Sequence, residues 1–504
     1  MLEEERKYQV DSQFRLPDLT DCLPAGGRWV PMPPKTLRAT YYDTADLRLA
    51  RAGISFRHRR GDDQPWTVKL PTPTVGTRRE ISRAGPADSV PTELARLLTA
   101  AHRGAPLSAA ATMRTLRQGY ELRDADDRVL VEIADDTVTV LEARQPVATF
   151  REIEVERYAG RRRLLKRVGR ALRDAGAVEG AFVAKHVRAL GAAAAAPPDL
   201  VAASGPISAK ASAASVVTRA LRRDIGRIFE YDPLVRLGEP LADGDTAVHQ
   251  MRVGCRRLRS DVKVFAPLLD AVWAHGLRAE LGWLADGLGR ARDAEVLRER
   301  LCRTATTDPL APLDAAAVAR IDADLAARHD EAVRALDGLL SSTRYLELLE
   351  RLIVASRAPQ LAAGADESAR DVLPALVDRP WRKLRAATGV SPNDPDHRWH
   401  ALRIRGKRAR YAIDAVAETL GGGASELAKA LGRVQDLLGA HQAAAVAAET
   451  WWAPATADPA DHELAVTAGR LYERERTTIR DVRQRFPASW AAADRPALTG
   501  WLPS

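Results

Sequence analysis

Met1-Leu2-Glu3-Glu4-Glu5-Arg6-Lys7-Tyr8 opens the chain. Glu3, Glu5 and Lys7 are two residues apart, which on a β-strand puts two carboxylates and one ammonium on one face. Adjacent carboxylates repel unless a cation lies between them. A strand that aims a metal site and a phosphate-gripping lysine at one point has this pattern. The alternative is a charged, frayed chain end, and the residues downstream decide between the two.

A run of short strands extends to about Tyr158. Ile54, Phe56 and His58 alternate with Ser55, Arg57 and Arg59, and Trp66, Val68 and Leu70 with Thr67 and Lys69. Val129, Val131 and Ile133 alternate with Leu130 and Glu132, and Ile153 and Val155 with Glu152, Glu154 and Glu156. Turn signals such as Gly61-Asp62-Asp63 separate them, which predicts an antiparallel barrel or sandwich. Helical segments interrupt it near Pro91–His102 and Arg161–Ala175. Charges of both signs share faces opposite apolar ones. In an ordinary small barrel such charges face water. The competing arrangement is an inverted barrel with a charged lumen, its apolar outside covered by helices around Leu94-Leu97-Leu98 and Leu164-Val168-Leu172. Its basic residues would hold a compact polyanion and its carboxylates a divalent cation, a mixture that points to metal-assisted phosphoryl chemistry.

Gly191 to Pro206 (GAAAAAPPDLVAASGP) reads as a linker. The predicted organisation is 1–190, a linker at 191–208, and 209–504. From Ala209 the texture turns to period-3.6 helices. This half repeats itself: His249-Gln-Met-Arg252-Val-Gly-Cys-Arg256-Arg257-Leu-Arg259 matches His400-Ala-Leu-Arg403-Ile-Arg-Gly-Lys407-Arg408-Ala-Arg410. Leu288-Gly289-Arg290-Ala291-Arg292-Asp293 matches Leu431-Gly432-Arg433-Val434-Gln435-Asp436. The expectation is a pseudo-two-fold all-α domain. His249, Arg252, Arg256 and Arg259 fall at i, i+3, i+7 and i+10, as do His400, Arg403, Lys407 and Arg410. Each set is one helical stripe. A basic run is usually a solvated face. Here the stripe recurs and neither stripe holds among its own positions an acid at i+3 or i+4 to neutralise it, so two stripes paired across a pseudo-dyad would form a positive channel.

Composition agrees with a polyanionic partner. The 504 residues carry a net charge of +9, which favours nucleic acid, an acidic surface or polyphosphate. Aromatic content of 5% argues against single-stranded nucleic acid, which binds by stacking. Of 76 basic residues only ten are lysine, so Lys7, Lys69, Lys185 and Lys407 stand out against an arginine background. Cys22, Cys255 and Cys302 are too few and scattered for a disulfide or zinc framework. With an acidic N-terminus and no long apolar run, the expected location is the cytoplasm, with no membrane partner.

The ordered motif set in residues 1 to about 190 resembles the CYTH family, the triphosphate tunnel metalloenzymes. E-x-E-x-K stands as Glu3-Glu4-Glu5-Arg6-Lys7, R-x-R as Arg57-His58-Arg59, and the lysine strand as Thr67-Val68-Lys69-Leu70. E-I-E-x-E stands as Glu152-Ile153-Glu154-Val155-Glu156, and a late S-K as Ala184-Lys185 with alanine for serine. The resemblance implies an eight-stranded antiparallel tunnel, Mg²⁺ or Mn²⁺, and hydrolysis of inorganic or organic triphosphates. It implies Glu3, Glu5, Glu152 and Glu154 as metal ligands, with Asp135 beside them. It implies Lys7, Arg38, Arg57, Arg59, Lys69, Arg117 and Lys185 as triphosphate contacts, with Arg78 or Arg79 and Arg114 in loose register. Of these, Glu3, Glu5, Lys7, Arg57, Arg59 and Lys69 would carry catalysis.

From Ala209 onward the chain resembles the CHAD domain, associated with inorganic polyphosphate. The resemblance implies that the two stripes, His249 to Arg259 and His400 to Arg410, bind it. The second copy departs at Gln435, for the arginine at Arg292, and at His441-Gln442, for an H-D pair. The predicted fold class is α+β multidomain. The predicted function is a metal-dependent triphosphatase joined to a polyphosphate-binding domain. The rivals are a non-catalytic polyphosphate-binding protein of storage granules, and an adenylate cyclase, against which stands the lack of an adenine-reading feature. Oligomeric state is left open.

Overall fold

The computed structural model describes residues 2–74, 76–179, 184–242, 244–457 and 460–503; the side chains of Leu2, Glu3, Ala455 and Ala457 also lie outside the description. The chain divides into two compact units, Met1–Asp199 and Leu200–Ser504.

Unit 1 contains β1 (Leu2–Val10), β2 (Arg28–Pro31), β3 (Lys35–Asp43), β4 (Ser55–Arg60), β5 (Trp66–Pro71), β6 (Thr77–Arg83), β7 (Ser108–Arg123), β8 (Val129–Glu142), β9 (Gln145–Arg157) and β10 (Val178–Glu179). Its helices are α1 (Arg48–Arg51), α2 (Thr92–Leu97), α3 (Thr99–His102), α4 (Arg162–Asp174) and α5 (Lys185–Leu190). Eight strands form an antiparallel ring in the order β1-β6-β5-β4-β3-β7-β8-β9, closed by β9 on β1. The short strands β10 and β2 add to β1 and β7. β1 closes the ring in two parts: Leu2–Glu4 pair with β6, and Glu4–Val10 with β9.

The barrel is inverted. Tyr8, Leu122, Val131, Ile133, Ile153 and Val155 face outward and form one core with Leu164, Leu165, Val168 and Leu172 of α4. The spacing of those four residues makes a single apolar stripe on α4. The helix sits flush because residue 169 is glycine: a Cβ there would collide with the Tyr8 hydroxyl. On β9 the alternation then turns Glu152, Glu154 and Glu156 inward. At one end the lumen is packed, with Ala39, Tyr41, Met113, Val138 and Val140 clustered against Phe150 and Ala189 of α5.

The stretch read as a linker is divided between the units. Ala192–Ala195 form a 3₁₀ turn with Ala194 buried. Arg51 donates to the Pro197 carbonyl at 2.7 Å and pairs with Asp199 at 2.8 Å.

Unit 2 contains α6 (Ala213–Leu237), α7 (Ala247–Val264), α8 (Ala271–Ala305), α9 (Ala315–Leu340), α10 (Thr343–Arg357), α11 (Ala369–Arg385), α12 (Asp396–Leu420), α13 (Gly422–Ala457), α14 (His462–Ala493) and α15 (Pro496–Thr499). Ser212, Thr246, Asp270, Asp314 and Ser342 cap helix starts by accepting a backbone N–H three residues on. A pseudo-dyad shows at the starts of α6 and α11. Ala213 N–H donates to the Glu367 carbonyl, and Ala369 N–H donates to the Ala211 carbonyl, each at 2.8 Å. Among the described residues, no helix is long and apolar enough to cross a membrane.

Candidate functional site: a charged tunnel and a cationic helix pair

The ring sorts its inward charges by strand. Register places Glu5 and Lys7 opposite Glu156 and Glu154 on β9, and Glu132, Ala134 and Asp136 of β8 opposite Glu156, Glu154 and Glu152. Partners across a ladder share a face, so β8, β9 and β1 form one contiguous acidic wall. Across the lumen, Arg57 and Arg59 (β4), Lys69 (β5) and Arg78 (β6) share the inner face with Tyr41 and Ala39. The Glu3 backbone pairs with Arg78 on that face, while its side chain lies outside the described residues.

Four cations hold the acidic wall, one of them Arg188 of α5, which bonds Glu152 at 3.1 Å. Lys7 Nζ bonds Glu154 and lies 3.7 Å from Glu5. Arg117 forks onto Asp136 at 2.8 and 2.7 Å and reaches Glu154 at 3.1 Å. Lys185, the first residue of α5, bonds Asp136 and Glu154, the latter at 2.9 Å. Burial opposes a charge on Glu154, but Lys185, Lys7 and Arg117 outweigh it and hold the carboxyl well below the usual range. Glu152 goes the other way: burial raises it, and only Lys185, Lys7 and Arg188 pull it down. Its Oε1 is buried without a hydrogen bond.

On the basic wall Lys69 meets Glu80 at 3.0 Å. The Arg57 Nε is buried without a partner. Arg59 is held below the usual arginine value by burial and by Arg57, with Arg117 adding to the effect. Asp62 pairs with Arg59, and Glu80, on the same face, pairs with Lys69, so acids are interleaved with these cations. His186 of α5 stacks on Tyr41 at 5.3 Å, and burial with Lys7 and Arg78 pushes it down to about 3, so it is a neutral packing group.

In unit 2, α7 packs on α12 and brings the two stripes together. Arg256 donates to the Tyr411 hydroxyl. Arg252 reaches Asp293 at 3.4 Å, whereas Arg403 and Lys407 make no hydrogen bond or ion pair among the described residues. Burial, then Arg403, Arg256 and Arg252, push the Lys407 ammonium down to about 7. Arg410 pairs with Asp414 at 3.4 Å, an acid at i+4 that corrects the reading of the second stripe as wholly uncompensated, and His249 lies 4.0 Å from Asp245. Glycines let these arginines lie on the next helix: Gly289 under Arg252, Gly282 under Arg259 and Gly432 under Arg410.

A family model of the CYTH domain matches residues 1–184, and one of the CHAD domain matches residues 219–452. The chain is 31% identical to the uncharacterized protein Rv2226 of Mycobacterium tuberculosis over 526 aligned positions, covering 98% of this chain and 96% of that protein.

The chain is a CYTH-CHAD protein.

Among solved structures, it is similar to PptA from Streptomyces chartreusis (21% identity, 56% of this chain and all of that one, TM-score 0.47). It is also similar to the CHAD domain from the plant Ricinus communis (23%, 58% and 96%, TM-score 0.44). CYTH domains are triphosphate tunnel enzymes and depend on a metal, usually Mg²⁺ or Mn²⁺. The CYTH tunnel here offers the donor chemistry for such a hard cation. Glu5 and Glu154 flank one ammonium, and the buried Glu152 Oε1 accepts no hydrogen bond, with Lys185 Nζ 3.6 Å away. Among the described residues no group of three or more candidate ligands is already gathered.

The CYTH register corrects two expectations. Arg38 pairs with Arg60 and Arg114 on the outer face, one residue out of phase with the lumen. Asp135 also points outward, where Arg151 holds it at 2.8 and 2.6 Å. The inward acid is its neighbour Asp136, which is fully buried and was missed because an adjacent acid pair puts one carboxylate on each face. Arg78, rather than Arg79, is on the inner side. In the CHAD unit, the glycine contacts pair Gly282 with Gly432, one heptad away from the Gly289–Gly432 match read from sequence. Gln442, which meets His400 Nδ1, thereby takes the place of Arg292. His441 is a packing group, stacked on Trp399 at 5.3 Å and bonded by Arg483 at 3.1 Å.

Proposed function

We propose that the tunnel hydrolyses inorganic triphosphate or a close relative with Mg²⁺ or Mn²⁺, and that the helical unit binds inorganic polyphosphate. The observation that carries this reading is the sorting of charge around the ring: an acidic wall on β8-β9-β1 faces a basic wall on β4-β5-β6. A triphosphate is a linear polyanion. Between such walls it would lie against Arg57, Arg59, Lys69, Arg78 and Arg117, with Glu3, Glu5, Glu152 and Glu154 holding the cation. The bound metal would neutralise charge on the phosphoryl oxygens and polarise them. The cations already on the acidic wall serve a second purpose. Lys7 and Lys185 hold Glu154 ionised before substrate arrives, and each has charge to share with a phosphate. The packed end of the lumen, where Ala189 meets Ala39 and Tyr41, is apolar, and the anion would lie among the charged residues instead.

Supporting the second half, Arg252, Arg256, Arg403 and Lys407 repel one another at the α7–α12 contact with little carboxylate compensation. A cluster that depresses its own pKa values is relieved by an anion.

The test is phosphate release from inorganic triphosphate beside ATP, with and without Mg²⁺ or Mn²⁺, for the wild type and Glu5→Ala. Metal-dependent release that the substitution removes supports the reading. No release from any triphosphate by folded protein that binds polyphosphate would make the tunnel a sensor instead.

A further inference from the structure

The first stripe does not end at Arg259. One turn further along α7, Lys263 continues it into a cleft of about 900 Å³ between α7, α11 and α12. Lys263, Arg379, Lys383, Arg405 and Arg408 line this cleft, and no acidic residue does. All five are exposed, and none makes a hydrogen bond or ion pair among the described residues. Elsewhere on α11, by contrast, Arg382 pairs with Asp378 and Arg385 with Asp494. Alanine, leucine, proline and valine side chains, with Ser260 and Tyr411, form the rest of the lining. Five cations on three helices with nothing to neutralise them raise the potential of a concave surface, which concentrates anions. Burial and the neighbouring Arg408, Arg278, Arg259 and Lys383 also lower the Lys263 pKa, as expected where like charges converge.

The cleft is continuous with the stripes at two points. Lys263 follows Arg259 at i+4 on the same face of α7. Tyr411 lines the cleft while its hydroxyl accepts from Arg256 of the central cluster. Arg252 to Lys263 spans eleven residues, or about 16 Å of helix, so one extended anion could touch both regions and a triphosphate could not. Tyr411 is the only aromatic ring in the lining, and its hydroxyl is already engaged. A run of nucleic-acid bases would therefore find a single ring to stack on rather than a succession of them.

We propose that this cleft binds a second stretch of the same inorganic polyphosphate chain, so that the helical unit selects long chains over short ones. The inference rests on the reading of the central stripes as a polyphosphate site, and the experiment separates the two. Affinity and salt slope are measured on the full chain, without divalent metal, for long-chain polyphosphate, inorganic triphosphate and single-stranded DNA. The proteins are the wild type, Arg379→Glu/Lys383→Glu and Arg252→Glu/Arg403→Glu. Thermal melting reports folding, and Arg379→Gln/Lys383→Gln serves as a milder pair.

The cleft variants are expected to lose about tenfold or more in long-chain affinity, with a salt slope shallower by about 1.4, because two phosphate contacts are gone. Triphosphate binding stays at the wild-type value. Wild-type long-chain affinity and slope in the folded cleft variants, with loss in the stripe variant, overturn the cleft and leave the central site standing. Wild-type binding in the stripe variant overturns the central reading and the cleft with it. Loss of DNA binding with polyphosphate binding intact overturns the ligand assignment.

Discussion

Lys407 makes polyphosphate binding pH-dependent in a direction that can be worked out. In the free protein its ammonium sits among Arg403, Arg256 and Arg252, and burial with these three holds it down to about 7. A polyanion between the stripes reverses the local charge and returns the group toward the ordinary lysine value of about 10.4. Binding then takes up a proton wherever free Lys407 is neutral and bound Lys407 is charged. Between about pH 6.5 and about pH 8.5 the protonated fraction of free Lys407 falls from about 0.76 to about 0.03, which sets a ceiling of about 25-fold on the loss of affinity. The side chain is partly solvated, and screening reduces the expected loss to about five- to tenfold. Affinity therefore falls as pH rises. The unliganded fold changes in the opposite sense. Its unfolded chain binds more protons than the native state between pH 7 and the ordinary lysine value, so its stability rises through that window. Isothermal titration of long-chain polyphosphate across this range, in buffers of different ionisation heat, measures both the affinity and the proton uptake. Lys407→Arg keeps its charge throughout and should flatten the profile. His249 is also pushed below its ordinary value, by burial first. A profile of the same steepness in Lys407→Arg, or no proton uptake in the wild type, would refute the reasoning.

Asp136→Asn should cost about 3–5 kcal/mol in urea unfolding, because the fully buried carboxylate is shared by Arg117 and Lys185, whose charges would be left without it. Arg38→Glu should leave triphosphatase kcat/KM within about twofold of wild type, since the side chain is on the outer face; a large loss would show that the β3 register is wrong. Glu5→Ala should abolish turnover yet leave long-chain polyphosphate binding unchanged, as read by titration of the full chain; equal loss of both in folded protein would tie the two activities to one site.

Much of the tunnel was legible because a strand has only two faces. The spacing of Glu3, Glu5 and Lys7, of Arg57 and Arg59, and of Glu152 and Glu154 assigns each set to one side whatever the fold. Phase between strands was not legible. Arg38 lies one residue from Ala39 of the inner face, and Asp135 one residue from Asp136, so a slip of one position exchanges lumen and exterior. Lys185 is a different case. The family motif pointed to it, but α5 entering the lumen is what brings its ammonium to Asp136 and Glu154.

By itself, the sequence determined the periodicities: alternation to about Tyr158, a 3.6-residue repeat after Ala209, and the two basic stripes within it. These follow from the local geometry of strand and helix, which each segment carries alone. Only the tertiary structure decided which way the faces turn. Leu164, Leu165, Val168 and Leu172 of α4 cover the apolar outside of the ring, and the charged faces are left inward. Likewise, only packing of α7 on α12 sets Arg252 and Arg256 beside Arg403 and Lys407. Charge repulsion and burial depend on distances between residues about 150 positions apart in the chain, and no local pattern encodes those distances.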